Sequence, residues 1–204
     1  MHYPEAGNLR WTGGLGRARR GDAGFSLIEV LFICLLMGIV VGVAFLKIGN
    51  AVNTTKQRGA LATLKMQIAN ARELAISQQR DIRIEFTAPD RIRTVRINRP
   101  VAAGNETVLA DIRFEAGMTF SKLAGKPETP DPWGGEGAVA FGGATSLRFR
   151  SGDGALIDQN DAFVNGRVFL AHNNGAAETA GVVSVFGPTG RIRSYRLIGT
   201  TWNY

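Results

Sequence analysis

Hydrophobic and polar residues change their spacing twice along this 204-residue chain. No charged side chain occurs from Val30 to Leu46. A helix rises about 1.5 Å per residue, so Phe25 to Leu46 comes close to crossing a hydrocarbon layer about 30 Å thick. Further on, Leu61, Leu64, Ile68, Ala71 and Ala75 recur every three or four residues, with Lys56, Lys65, Arg72 and Glu73 among the polar positions. That spacing predicts an amphipathic helix lying against something. Proline is absent between Pro4 and Pro89, so one rod can run from the apolar segment to about residue 80. Gly59 and the stretch 50–55 weaken it locally.

After Arg80 the period becomes two. Ile82, Ile84 and Phe86 alternate with Arg83 and Glu85, and Val108, Ala110, Ile112 and Phe114 with Asp111, Arg113 and Glu115. Between these runs Ile92 and the Val95/Ile97 pair fall out of phase, which predicts a bulge or bend. Pro127, Pro130, Pro132 and repeated glycines make 122–144 a predicted loop. Strand signals resume at 146–149, 155–157, 168–171, 182–186 and 191–198, with turns at Gly152-Asp153-Gly154 and Gly187-Pro188-Thr189-Gly190. The pattern predicts an α+β chain: a long helix, then seven or eight short strands, with the second half of the helix packed on one sheet face.

Charge adds direction. Arg17, Arg19 and Arg20 precede the apolar run and by the positive-inside bias hold the N-terminus in the cytoplasm. Residues 1–24, glycine-rich and without apolar periodicity, read as a disordered leader. The net charge is +7, of which four Arg against Glu5 and Asp22 place +2 in that leader, leaving 7 − 2 = +5 beyond it. This favours polyanions but is modest for a dedicated nucleic-acid binder. The single cysteine, Cys34, lies in the apolar run as a small filler, so no internal disulfide can form. Glu29 is the anomaly. An acid within an apolar span costs about 2.5–3.5 kcal/mol at the helix centre unless its charge finds a partner.

Gly24-Phe25-Ser26-Leu27-Ile28-Glu29-Val30-Leu31 resembles the processing site of type IV pilins and type II secretion pseudopilins. The resemblance implies cleavage between Gly24 and Phe25 by a membrane aspartyl prepilin peptidase, N-methylation of Phe25, and Glu29 as fifth residue of the mature chain. It also implies assembly, in which the Glu29 carboxylate of one subunit neutralises the new Phe25 ammonium of another and sets their stagger. Many major pilins carry a helix-kinking proline where this chain has Leu46, a departure that leans toward a minor component. Phe149-Arg150-Ser151-Gly152-Asp153-Gly154, Val182-Val183-Ser184-Val185 and Gly190-Arg191-Ile192-Arg193 resemble the end of the H-type pseudopilin and FimT-like minor pilin group. This implies a β-sandwich of two antiparallel sheets on a long helix. The expected division is a leader over 1–24, a transmembrane half-helix over 25–47, an amphipathic half-helix over 48–80 and a periplasmic β-rich domain over 81–204. The expected partners are other pilins or pseudopilins, the peptidase and the inner membrane.

Catalytic chemistry is not expected. His172, the only histidine after the leader, stands in a turn-like Ala-His-Asn-Asn-Gly stretch and reads as a surface residue. No Cys/His cluster offers a metal site, and Asp153, Asp158, Asn160 and Asp161 do not follow a calcium-loop spacing. Neither a cofactor nor a small-molecule substrate is implied. Two active roles remain. One is a structural subunit of a pseudopilus or pilus machine, and the other a DNA-capturing tip subunit. For the second, the FimT-like resemblance implies a GRxR element, here Gly190 to Arg193, with Arg191 and Arg193 on one strand face and Arg196 adding charge. A signal-anchored β-domain with no filament role is the plainest alternative.

Overall fold

The computed structural model describes residues 25–101, 104–114, 117–133 and 135–204, with the backbone alone at 45–51. The leader, and Gly24 with it, lies outside the described residues. Two compact units divide at Ala44/Phe45. The fold is α+β: a single long helix followed by antiparallel sheets.

Helix α1 runs Leu27–Gln78, unbroken through Gly59 and the 50–55 stretch. Nothing approaches the position a Gly59 side chain would take, so that glycine costs propensity without breaking a contact. The helix stops after Gln78, where Gln79 takes a left-handed conformation (φ 48) of the kind that ends helices.

Within the second unit, the stripe read from the sequence is the buried one: Leu61 is nearly buried, and Leu64, Ile68, Ala71 and Ala75 are fully so. It meets two antiparallel sheets. The first comprises β1 (Ile82–Thr87), β2 (Arg91–Ile97), β3 (Glu106–Arg113), β6 (Ser146–Phe149) and β7 (Leu156–Ile157), ordered β3-β2-β1-β6-β7. The second comprises β4 (Met118–Phe120), β8 (Gly166–His172), β9 (Gly181–Phe186), β10 (Arg191–Ile198) and β11 (Thr201–Asn203), ordered β11-β10-β9-β8-β4, with β5 (Val139–Phe141) also on β8. Ile82, Ile84, Leu147 and Phe149 from the first sheet and Val168, Leu170, Val183 and Val185 from the second share one core with the helix. Phe86 packs edge-on against Phe120 and stacks on Phe141, joining the sheets directly. The helix packs tightly on Gly181, where a Cβ would lie 2.5 Å from Leu61.

The expected irregularity falls between Thr94 and Val95, where the β2–β3 register shifts and two successive residues are buried. Three short strands escaped the sequence: β4, β5 and β11. Segment 122–144 is therefore not loop throughout, because Val139–Phe141 pairs with β8. Three residues are too few to show a period. The outward face of the first sheet is a lattice of ion pairs. Register sets Glu85 beside Arg93 and Arg93 beside Asp111, and Arg83 reaches both Glu85 and Glu106. Such half-exposed pairs contribute little each, about 0–1 kcal/mol, but they neutralise most of that face.

The packing predicts a sharp contrast along α1. Leu64→Ala should cost about 3 kcal/mol, as for a filled core position, whereas the same change at half-exposed Met66 should cost under about 0.5 kcal/mol. Urea denaturation in detergent micelles, followed by circular dichroism, measures both; similar losses would contradict the described face.

Candidate functional site

Two sets of residues carry the chemistry anticipated from the sequence, one in each unit. In the first unit every residue from Phe25 to Ala44 is exposed, including Phe25, Glu29 and Cys34. Leu27–Ala44 is long and apolar enough to cross a membrane. The Ser26 carbonyl accepts from the backbone N–H groups of Glu29 and Val30, at 2.9 and 3.1 Å, and so opens the helix. Glu29 lies in the first turn, where the unpaired N–H groups of the helix end favour a negative charge.

In the second unit the Gly190–Arg193 element divides its four residues between turn, core and surface. Gly187–Thr189 forms a short 3-10 turn that closes at Gly190 with φ 62. A side chain at Gly190 would be strained at that φ, and its Cβ would sit 2.4 Å from the Arg72 Nε and 2.6 Å from the Gly154 carbonyl oxygen. Ile192 packs toward the core. Arg191 and Arg193 point outward, two strand residues apart, which is about 6.5–7 Å. Arg196 has the opposite parity. It rims a separate open groove with Arg58, Lys65, Ser194 and Tyr204, and does not join the pair.

Arg191 and Arg193 do not look onto bare solvent. Segment 121–138 lies over the outward face of the second sheet and is fastened there by polar groups. Asp131, almost fully buried, accepts from Ser184 Oγ at 2.7 Å, Tyr195 Oη at 2.9 Å and Arg193 Nη1 at 3.2 Å. Arg167, also buried, donates to Glu128 Oε2, to Thr129 Oγ1 and to the Gly135 carbonyl. Its guanidinium lies 5.1 Å from the Phe169 ring centre. Arg167, Ser184 and Arg193 are successive cross-strand neighbours, so one row of the sheet supplies three of these anchoring groups, and Tyr195, two residues along β10, supplies the fourth. Burial pushes the Tyr195 phenol above its ordinary value and the bond to Asp131 adds to this, while Arg193 pulls the other way. The fold therefore favours the neutral phenol. The stability this supplies is complete below about pH 10 and is lost as pH rises through the higher folded value.

The same segment delivers Trp133 beside Phe186, with ring centres 5.5 Å apart and tilted by 44°. Together with Arg191 and Arg193 they line an open groove of about 220 Å³. Arg191 forms no ion pair among the described residues, in contrast to Arg83, Arg91, Arg148, Arg150 and Arg167. Arg80, Arg96 and Arg99 form a second group without a carboxylate; there Arg96 donates to Gln78 and Asn98.

Residues 19–45 match the prokaryotic N-terminal methylation motif. No curated protein matches the chain significantly. Two crystal structures of the Pseudomonas aeruginosa (strain PAO1) type IV minor pilin FimU are similar to it at 15% identity. One gives a TM-score of 0.47 over 73% of this chain and 93% of that one, the other 0.45 over 72% and 96%.

The remaining candidates fall away from both sets. His172 is half-buried at the end of β8 rather than free on the surface, and its Nδ1 accepts from the Asn174 N–H at 3.3 Å. Asp153 pairs with Arg150, Asp161 with Arg148, and Asp158 accepts from the N–H groups of Asn160 and Ala162. No cluster of possible metal ligands occurs among the described residues. Trp133, Phe186 and Asp131 were not singled out from the sequence. The available signal was Pro132-Trp133, a large aromatic in a segment otherwise built for turns. Asp131→Ala should destabilise the domain by about 2–4 kcal/mol, because two buried hydroxyls lose their acceptor. Asp131→Asn, which keeps an acceptor, should cost less. Urea midpoints compare the two variants, and an unchanged midpoint for the alanine variant would show that the segment is not held this way.

Proposed function

We propose that the chain is a minor pilin-like subunit, a structural component of a type II secretion pseudopilus or a type IV pilus machine. The observation that carries this is the N-terminal methylation motif over 19–45, running into a helix start that is apolar, fully exposed and interrupted by one acid. An exposed apolar helix needs either lipid or other helices around it, and a filament of such helices supplies both in turn. Residues 25–47 hold the precursor in the inner membrane, with the N-terminus cytoplasmic and 81–204 periplasmic. Prepilin peptidase cuts between Gly24 and Phe25 and methylates Phe25. Glu29 then pairs with the Phe25 ammonium of a neighbouring pilin or pseudopilin, so that neither charge stands alone in lipid. On this reading the subunit is not an enzyme and takes no cofactor or small-molecule substrate.

One experiment tests both steps. Co-expressed with a prepilin peptidase, the precursor should lose 24 residues and gain one methyl group by intact mass, and a bulky replacement of Gly24 should prevent this. Glu29→Ala should be cut and inserted normally, yet crosslink poorly to other pilins at equal membrane abundance. A cut elsewhere, or equal crosslinking, would sink the respective step.

A second reading is favoured by the groove at Arg191 and Arg193: nucleic-acid capture, as the FimT-like resemblance implies. Two outward cations at phosphate-like spacing, one of them without an acid partner, suit a phosphate backbone. The mature chain in detergent micelles should then bind DNA with an affinity that falls steeply with salt. Arg191→Ala should lower the log–log salt slope by about 0.9, the value of one phosphate contact. An unaltered slope would remove Arg191 from the interface.

A further inference from the structure

We propose that the groove lined by Trp133, Phe186, Arg191 and Arg193 is a stacking site selective for single-stranded nucleic acid, an inference that rests on the nucleic-acid reading above. The groove combines two features. Half-buried aromatic rings offer a flat apolar face, and guanidinium groups offer charge beside it. A base joined to a phosphate presents the complementary pair, a flat ring and a fixed anion. An acidic peptide would satisfy the arginines and leave the rings uncovered.

Two further observations narrow the ligand to an unpaired strand. At about 220 Å³ and open to solvent, the groove is small for an enclosed small-molecule site, so it suits one segment of a longer chain. Trp133 and Phe186 touch each other at 5.5 Å, which leaves no gap for a base between them. The base must lie on the outer face of the pair, and that requires an unstacked base. In a duplex the base faces are covered by their neighbours, so a duplex can use only the arginines.

The platform is also fixed in place. Asp131 lies two residues before Trp133 and is bonded to Ser184, Tyr195 and Arg193, while the Trp133 N–H closes a tight turn onto the Asp131 carbonyl at 2.9 Å. One buried carboxylate thus sets both the indole and the Arg193 guanidinium. Arg193 is half-neutralised by that bond and serves to position; Arg191 brings an unpaired charge. Beyond the two guanidinium groups and the Trp133 indole N–H, the groove's lining brings no donor or acceptor to a base edge, so the site should be tolerant of sequence.

Fluorescence anisotropy with the mature chain in detergent micelles tests this, using a short labelled oligo-dT strand and a mixed-sequence duplex of the same length. The strand should bind more tightly. Trp133→Ala should weaken strand binding about tenfold, the loss of one stacked base, and leave the duplex unchanged. Trp133→Phe should keep most of the preference, and Phe186→Leu, which holds volume without a ring, should lose part of it. Arg191→Ala should weaken both probes. Circular dichroism confirms that each variant is folded. If both probes bind equally and Trp133→Ala changes neither, the stacking site is overturned while the nucleic-acid reading stands. Should neither probe bind at low salt, both fall. If polyglutamate of equal charge displaces the strand as well as unlabelled oligo-dT does, the groove is a peptide site and the proposal is overturned.

Discussion

The seam of Leu61, Leu64, Ile68, Ala71 and Ala75 is the contact on which the globular unit depends. Two five- or six-stranded antiparallel sheets each need a cover for their apolar face, and neither is wide enough to close on itself. The helix supplies cover for both at once, so removing any one layer exposes the other two. Towards the C-terminal end of the seam Gly154 and Gly190 come in from the strand turns close against Arg72, and Gly154 against Ile76 as well. At the other end Leu61 projects into the space that Gly181 leaves free. With no disulfide available to Cys34, close packing of this kind carries the stability of the domain.

Polar chemistry does for the outer face of the second sheet what apolar packing does for its inner face. A segment rich in proline and glycine has little to bury and loses much entropy when fixed. It is fixed here because it brings acceptors, Asp131 and Glu128, to a row of donors on the sheet, Arg167, Ser184 and Arg193. Each of these groups, buried alone, would be costly, whereas satisfied together they hold the segment in one arrangement. The groove beside Arg191 follows from that arrangement, since Trp133 reaches Phe186 only because Asp131 is tied down.

The two units pose opposite problems of exposure. From Phe25 to Ala44 the chain is apolar and wholly exposed, which is stable only in lipid or among other helices. On the first sheet of the globular unit, by contrast, most charges are matched pair by pair, and the net positive charge is left to the arginines that lack an acid, Arg191 among them.

The sequence by itself determined the elements whose periodic pattern is long. The apolar run, the helix to about residue 80, its buried stripe, the bulge near Val95 and the strands from β6 to β10 could all be read, because each is fixed by local spacing and one buried face. The N-terminal methylation motif over 19–45 was legible for a similar reason, being contiguous in sequence. Strands of three residues were not legible, being shorter than the pattern that would reveal them. Tertiary structure alone decided which polar residues are buried. Arg167, Ser184 and Tyr195 alternate as solvent-facing strand positions should, and nothing local says that residues 121–138 will cover them. It also set Trp133 beside Phe186. These pairings span some fifty to sixty positions, a distance at which spacing carries no information and only the closing of the fold does.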